Sequence, residues 1–370
     1  MRVILVGGGT AGHINPALAV ALYIKNKEPR SKVLYVGAKG GMEETLVPKE
    51  NLDFRGITVS GFSRKLNFES FKKNLITIKN IFTASHESKK ILEEFNPDIC
   101  IGTGGYVSGP LLREACKKNI PFIIHEQNAY PGITTKILSK KASAVMLAAK
   151  AAKKHLNKNL NIVVTGNPLR NGIGKIDTKQ AKKELNLDNG KPLVLSFGGS
   201  LGARTINESV AELILWSQKN NLYNHVHAYG KYGKWLPKLL EEKGIKKSLN
   251  IDVREYIDNM PICMAAADIV ICRSGAITLS ELKACGKPSI LIPSPNVAEN
   301  HQYYNAMEFV EARAAALLEE KELSGENLIK KLSESMNNIA VLKEGINKLQ
   351  KELDFSPSEK IYNVIKSILK

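Results

Sequence analysis

Short apolar runs, each cut off by a glycine-rich or polar turn, recur along the chain. They lie at 3–6, 33–36, 97–102, 121–125, 162–165, 192–197, 225–229, 251–254, 265–271 and 289–292. Most are apolar throughout rather than alternating, which is the mark of parallel strands buried on both faces; the run at 265–271 reads as a helix end followed by a strand. Helical stretches fall between them, at 17–24, from 111, over 178–187, from 302 and over about 356–370. The opening order of strand, glycine loop and helix is repeated from residue 192. The turn Gly166-Asn167-Pro168 marks a boundary between the two openings. The pattern predicts an α/β chain of two Rossmann-like, doubly wound parallel-sheet domains, 1–167 and 168–355, facing a cleft at their strand ends.

Composition narrows this little. The chain has 370 residues, enough for two domains with full cores. Its net charge of +17 calls for an anionic partner or a lysine-rich solvated surface. With aromatics at 6% and no recognisable binding module, no nucleic-acid partner is expected. The five cysteines form no CxxC pair and read as reduced, buried thiols. No metal cluster is visible; His225 and His227 alternate on an expected strand and read as packing or surface residues. No apolar run reaches the roughly 20 residues of a membrane span.

The chemistry gathers in loops. Gly7, Gly9 and Gly12 give a G-x-G-x-x-G spacing, but no acidic residue follows the next strand to hold an adenosine ribose, so a dehydrogenase is not indicated. His13 sits at the mouth of that loop, where a base or a packing histidine would both fit. Thr103-Gly104-Gly105-Tyr106 and His125-Glu126-Gln127-Asn128 follow further strands. The stretch 272–306 is the richest. Ser274-Gly275-Ala276 is a small-residue turn leading into a helix whose free N–H groups suit a phosphate. Glu281, one turn in, can accept from the two hydroxyls of a ribose; an ordinary capped helix with an acidic first turn is the plain alternative. Segment 63–90 interleaves basic residues with Leu66, Phe68, Phe71, Leu75, Ile78 and Phe82. It can lie on an anionic membrane surface or be an ordinary amphipathic helix.

Seven motifs together resemble the MurG family of peptidoglycan N-acetylglucosaminyltransferases: G-G-T-A-G-H at 8–13, G-G-Y-V-S-G-P at 104–110, H-E-Q-N at 125–128, T-G-N-P-L-R at 165–170, G-G-S-L-G-A at 198–203, R-S-G-A-I-T-L-S-E at 273–281 and H-Q-Y-Y-N-A at 301–306. They occur in the family's order across nearly the whole chain. Ala11 and Leu201 stand where glycine and glutamine are more usual. The resemblance implies a GT-B fold, with the last helix returning to the first domain. It also implies inverting transfer of GlcNAc from UDP-GlcNAc to the 4-hydroxyl of MurNAc in lipid I, giving lipid II at the cytoplasmic face of the membrane. The first domain would then serve the acceptor and the membrane, and the second the donor. By the family's pattern Ile257 meets the uracil and Glu281 the ribose. Ala276, Ile277, Thr278, Leu279, Ser280, Ser200 and Arg170 lie near the diphosphate. Gln302 and Asn128 touch the sugar, Thr10, Ala11 and Gly12 line the junction of the substrates, and Gly104, Gly105, Tyr106, Ser108 and His125 fall on the acceptor side.

Inverting transfer needs a base for the acceptor hydroxyl; His13 is the candidate and Glu126 its rival. It also needs charge stabilisation on the departing UDP, which helix N-termini and Arg170 can give without a metal. No cofactor is expected beyond the donor itself, and the anionic membrane surface would be met through about 63–90. Another GT-B transferase, a UDP-sugar epimerase and a non-catalytic UDP-sugar-binding protein are the competing readings.

Overall fold

The strands form because their side chains have no exposed face. Val3, Ile4, Leu5 and Val6 are all fully buried, as are Leu193, Val194 and Leu195. The structure, a computed structural model, describes residues 1–60, 68–245, 248–297, 300–351 and 356–370, and only the backbone of 68–79. The chain divides into two compact units, Met1–Arg170 with Ser356–Lys370, and Asn171–Phe355.

Unit 1 runs β1 (Arg2–Gly7), α1 (Ala11–Lys27), β2 (Lys32–Ala38), α2 (Glu43–Lys49), β3 (Asp53–Ile57), α3 (Phe68–Phe95), β4 (Ile99–Gly104), α4 (Ser108–Lys117), β5 (Phe122–Glu126), α5 (Ile133–Leu138), β6 (Ala144–Leu147) and β7 (Ile162–Val164). Its sheet, among the described residues, is parallel in the order β3-β2-β1-β4-β5-β6-β7. Unit 2 runs α6 (Thr178–Glu184), β8 (Leu193–Phe197), α7 (Arg204–Asn220), β9 (Asn224–Ala228), α8 (Leu236–Glu242), β10 (Ile251–Arg254), α9 (Met260–Ala266), β11 (Ile269–Cys272), α10 (Ala276–Cys285), β12 (Ser289–Leu291), α11 (His301–Glu311), β13 (Ala315–Leu317), α12 (Gly325–Asn337) and α13 (Ile339–Lys351). Its sheet repeats the plan as β10-β9-β8-β11-β12-β13. Each order reverses once, between β1 and β4 in one sheet and between β8 and β11 in the other. In open parallel sheets that reversal opens the crevice where ligands bind.

The last helix, α14 (Pro357–Ile368), belongs to unit 1. Ile361 and Ile365 are fully buried in the cluster that holds Ile14, Ala17, Ala21 and Ile24 of α1. Tyr362 and Lys366 both donate to Glu28 at the end of α1, at 2.7 and 2.8 Å. The Lys366 bond, with the Tyr362 bond behind it, holds the Glu28 carboxyl down at about 2.

Two helices start earlier than the sequence pattern predicts. The first was expected at 17 and begins at Ala11, because the Thr10 carbonyl accepts from His13 N at 3.0 Å and from Ile14 N at 3.2 Å, closing a turn inside the glycine loop. The helix expected from 111 begins at Ser108, with Pro110 in its first turn, where a missing N–H costs nothing. Strands β3, β6 and β13 are additions to the expected set.

Candidate active site

Four of the seven motif loops lie at the two reversals. Loops after β1 and β4 flank the one in unit 1, and loops after β8 and β11 flank the one in unit 2. The helices α1, α7 and α10 leave these loops with no side-chain cap and no acidic residue in the first turn. Two helices that leave other loops are capped: Asp177 accepts from Lys179 N and Gln180 N ahead of α6, and Ser324 accepts from Asn327 N ahead of α12. An uncapped N-terminus keeps its unpaired amides and its positive end available to an anion.

In unit 1, His13 lies in the first turn of α1 rather than in the loop itself. Its Nδ1 is 3.0 Å from the Thr103 carbonyl and 3.2 Å from Gln127 Oε1. Both are acceptors, so Nδ1 carries the proton and Nε2 the lone pair. Gly104 makes the close approach possible: its φ is +106°, and a Cβ there would stand 2.7 Å from His13 Nδ1. Gly105 follows it against the Gly8 carbonyl. Thr103 Oγ1 donates to the His13 carbonyl at 2.7 Å, tying β4 to α1. Thr10, Ala11 and Gly12 stand at the start of α1, and the Tyr106 ring lies over Gly9.

Ser108 and His125 are buried beneath these loops rather than on their surface. The Ser108 hydroxyl is 2.7 Å from the Gly104 carbonyl, and His125 Nε2 is 2.9 Å from the Gly166 carbonyl. Burial pushes the His125 imidazole below its usual range, which keeps it neutral. Glu126 is buried with four donors on its carboxylate: Asn128 N and Nδ2 on one oxygen, both at 3.1 Å, and Gly132 N and Thr135 Oγ1 on the other, at 3.0 and 2.7 Å. It holds the 126–135 loop and Asn128 in place. Arg170 is the last residue of unit 1's first segment and is half-buried.

In unit 2, the Ser200 carbonyl accepts from Lys231 N, and Gly202 N closes a turn onto the Gly199 carbonyl. Ile257 has a buried side chain in the loop between β10 and α9. At α10, Ala276, Thr278 and Ser280 are half-exposed, while Ile277 and Leu279 are buried and anchor the turn. Glu281 is buried one turn in, beside Cys272, whose thiol burial and that charge push up. Ser274 Oγ donates to the Gln302 carbonyl at 2.7 Å, and Gln302 Oε1 accepts from Ser294 N at 2.9 Å, so the β11 loop and the start of α11 are one unit.

Three residues were missed from sequence. Gln127 was passed over inside H-E-Q-N although it bonds both His13 and His125. Thr103 orients His13 through its carbonyl, which no side-chain reading reveals. Glu43 is fully buried and accepts from Ala38 N at 2.8 Å; its side chain fills the space a Cβ at Gly8, Gly37 or Gly41 would need. The signal for it was the cluster of glycines in G-A-K-G-G. His225 and His227 are packing residues in β9, and among the described residues no group of three or more His, Cys, Asp or Glu side chains is placed to hold a metal. Of segment 63–90, residues 63–67 and the side chains of 68–79, Leu75 and Ile78 included, lie outside the described residues; Phe82 is 72% exposed.

Two Rossmann-like parallel sheets, of seven and six strands among the described residues, with uncapped helices at both reversals define a glycosyltransferase of the GT-B class. Residues 3–147 match the N-terminal domain of glycosyltransferase family 28 and residues 193–357 its C-terminal domain. The UDP-N-acetylglucosamine--N-acetylmuramyl-(pentapeptide) pyrophosphoryl-undecaprenol N-acetylglucosamine transferase of Acetivibrio thermocellus is 42% identical over 370 residues, spanning 100% of this chain and 99% of that protein. The crystal structure of Acinetobacter baumannii MurG is 26% identical with a TM-score of 0.68, covering 99% of each chain. The UDP-GlcNAc 2-epimerase of Neisseria meningitidis, solved with UDP-GlcNAc, shares the fold alone, at 16% identity and a TM-score of 0.69 over 100% of both chains. The chain belongs to glycosyltransferase family 28, in its MurG branch.

Proposed function

We propose that the protein transfers GlcNAc from UDP-GlcNAc to the 4-hydroxyl of MurNAc in lipid I, forming lipid II with inversion at the anomeric carbon. Full-length identity to the Acetivibrio thermocellus transferase carries this reading. Four of the seven motifs, at 8–13, 104–110, 198–203 and 273–281, fall at the reversals of the two sheets, which supports it.

In this reading unit 1 takes the acceptor and unit 2 the donor. The acceptor oxygen attacks C1 of GlcNAc while the C1–O bond to the diphosphate breaks. His13 Nε2 receives the hydroxyl proton; its lone pair is free because Nδ1–H is held by Thr103 and Gln127. Glu126 is the loop's anchor rather than the base, since all four bonds to its carboxylate come from its own loop. Departing UDP is met by the uncapped ends of α7 and α10 and by Arg170. Ile257 backbone reads the uracil, Glu281 the ribose, and Gln302 and Asn128 the sugar. For His125, which is buried, the part played is to hold the surface that the substrate touches. Transfer needs no metal in this scheme, so the rate is expected to survive chelation by EDTA.

The lipid-linked acceptor places the protein at a membrane, as a peripheral protein at the cytoplasmic face. Among the described residues no helix is long and apolar enough to cross one. Between Glu126 and Asp177 there is no acidic residue, and eight lysines and Arg170 fill the interval. Ile133 and Ile137 stand 74% and 64% exposed one turn apart on α5, within that interval. Apolar side chains ringed by lysine suit an anionic bilayer. Reversing Lys140 and Lys141 to glutamate is expected to weaken binding to phosphatidylglycerol vesicles several-fold, read by co-sedimentation; unchanged binding rejects this face.

The deciding experiment is UDP release from UDP-GlcNAc with a short-chain lipid I analogue. Acceptor-dependent turnover supports the transferase. Donor binding without acceptor-dependent UDP release returns the binding-protein reading, and interconversion of the free donor returns the epimerase.

A further inference from the structure

A row of side chains runs inward from His13. Its Nδ1–H faces Gln127 Oε1 at 3.2 Å. Gln127 Nε2 lies 3.0 Å from His125 Nδ1 and 3.1 Å from the His125 carbonyl. His125 Nε2 lies 2.9 Å from the Gly166 carbonyl. The polarity of the whole row follows from its fixed ends. The Gly166 carbonyl can only accept, so His125 Nε2 bears hydrogen. A neutral His125 then has a lone pair on Nδ1, and the His125 carbonyl beside it also only accepts. The Gln127 amide must therefore turn its NH2 group inward and its oxygen toward His13. His125 and Gln127 are both buried, so water does not compete for these bonds.

We propose that Gln127 is a positioning residue for the transfer: its amide, oriented by His125 and Gly166, holds His13 as the Nδ1–H tautomer with Nε2 open, through a partner that carries no charge. This rests on the reading of His13 as base. The Thr103 carbonyl shares the same proton, so orientation has two supports. What the amide adds is neutrality. A carboxylate in its place would stabilise the imidazolium and raise the imidazole's affinity for protons by one to three pH units, leaving less of the free base near neutral pH. Of the four residues in His125-Glu126-Gln127-Asn128, one carboxylate is present, and it is turned away from His13 onto its own loop.

The test uses the full chain with 15N-labelled histidine, His13 being assigned by its loss in His13→Gln. Gln127→Glu is expected to raise the His13 titration midpoint by about one unit or more. The acidic limb of kcat/KM should move up by the same amount, with the donor KM within about twofold. Gln127→Met keeps the volume and removes the bond; kcat is expected to fall about tenfold with the melting temperature retained, which a packing role would not give. An unmoved His13 midpoint in Gln127→Glu, together with unchanged kcat in Gln127→Met, overturns the proposal. A moved midpoint with a stationary pH profile leaves the row of bonds standing and rejects His13 as the base.

Discussion

His13 stands in the first turn of α1 and His125 near the end of β5 in unit 1, with three of their four ring nitrogens bonded to named partners and the fourth, His13 Nε2, the proposed base. His225 and His227 stand inside β9 in unit 2, both fully buried. There the Ser196 hydroxyl, 2.8 Å from His227 Nδ1, is the one partner, and both ring nitrogens of His225 and Nε2 of His227 have none among the described residues. Burial pushes His225 down to about 3 and His227 to about 4. One pair is held by directed hydrogen bonds, and the other behaves as a pair of aromatic core residues that stay neutral. The difference arises from the neighbours rather than from position along the strand: His125 and His227 are each the fourth residue of a five-residue strand, but both ring nitrogens of His125 meet partners, in Gly166 and Gln127, while among the described residues only Nδ1 of His227 does, in Ser196.

The largest expected effect breaks the first pair. His13→Ala should lower kcat by about 10²–10⁴-fold with donor binding retained, the range for loss of a general base; titration calorimetry with UDP-GlcNAc separates the two quantities. The next concerns the second pair. An unfolded histidine takes up its proton near 6.5, whereas these stay neutral in the fold down to about 4 and 3. Between those limits the unfolded state binds more protons, so stability is complete above about pH 6.5 and falls as pH drops through the window. His225→Leu should remove part of that loss, on the order of a few kcal/mol at pH 4, seen as acid unfolding of unit 2 at a lower pH. An acid midpoint unchanged by the substitution would show that the pair does not govern unit 2. The smallest tests whether unit 1's wiring extends past its histidines. Glu126→Gln turns an amide NH2 toward donors and should cost about 1–3 kcal/mol, measured by urea unfolding of unit 1, with a lesser fall in kcat than His13→Ala.

Much of this was legible in sequence. Continuous apolar runs such as 3–6 and 192–197 announced buried parallel strands, and the repeated strand, glycine loop and helix announced two Rossmann-like sheets. What escaped has physical causes. β3, Asp-Phe-Arg-Gly-Ile, is an edge strand with one face in water, so its pattern carries polar residues. β6 is four residues within a lysine- and alanine-rich stretch. The early start of α1 depends on a backbone carbonyl, that of Thr10, which composition does not mark. The motifs pointed to His13 and the H-E-Q-N turn; the direction of each hydrogen bond, and with it the separate duties of Glu126 and Gln127, needed the geometry.

The return of α14 has a consequence for how the molecule comes into being. During synthesis the first 170 residues leave the ribosome without Ile361 and Ile365, which wall the α1 side of their core. Unit 2, made of one continuous stretch, can close while unit 1 still waits with an apolar seam open. The domain begun first is thus finished last, and a stop codon 15 residues early would remove part of its core rather than a dispensable tail.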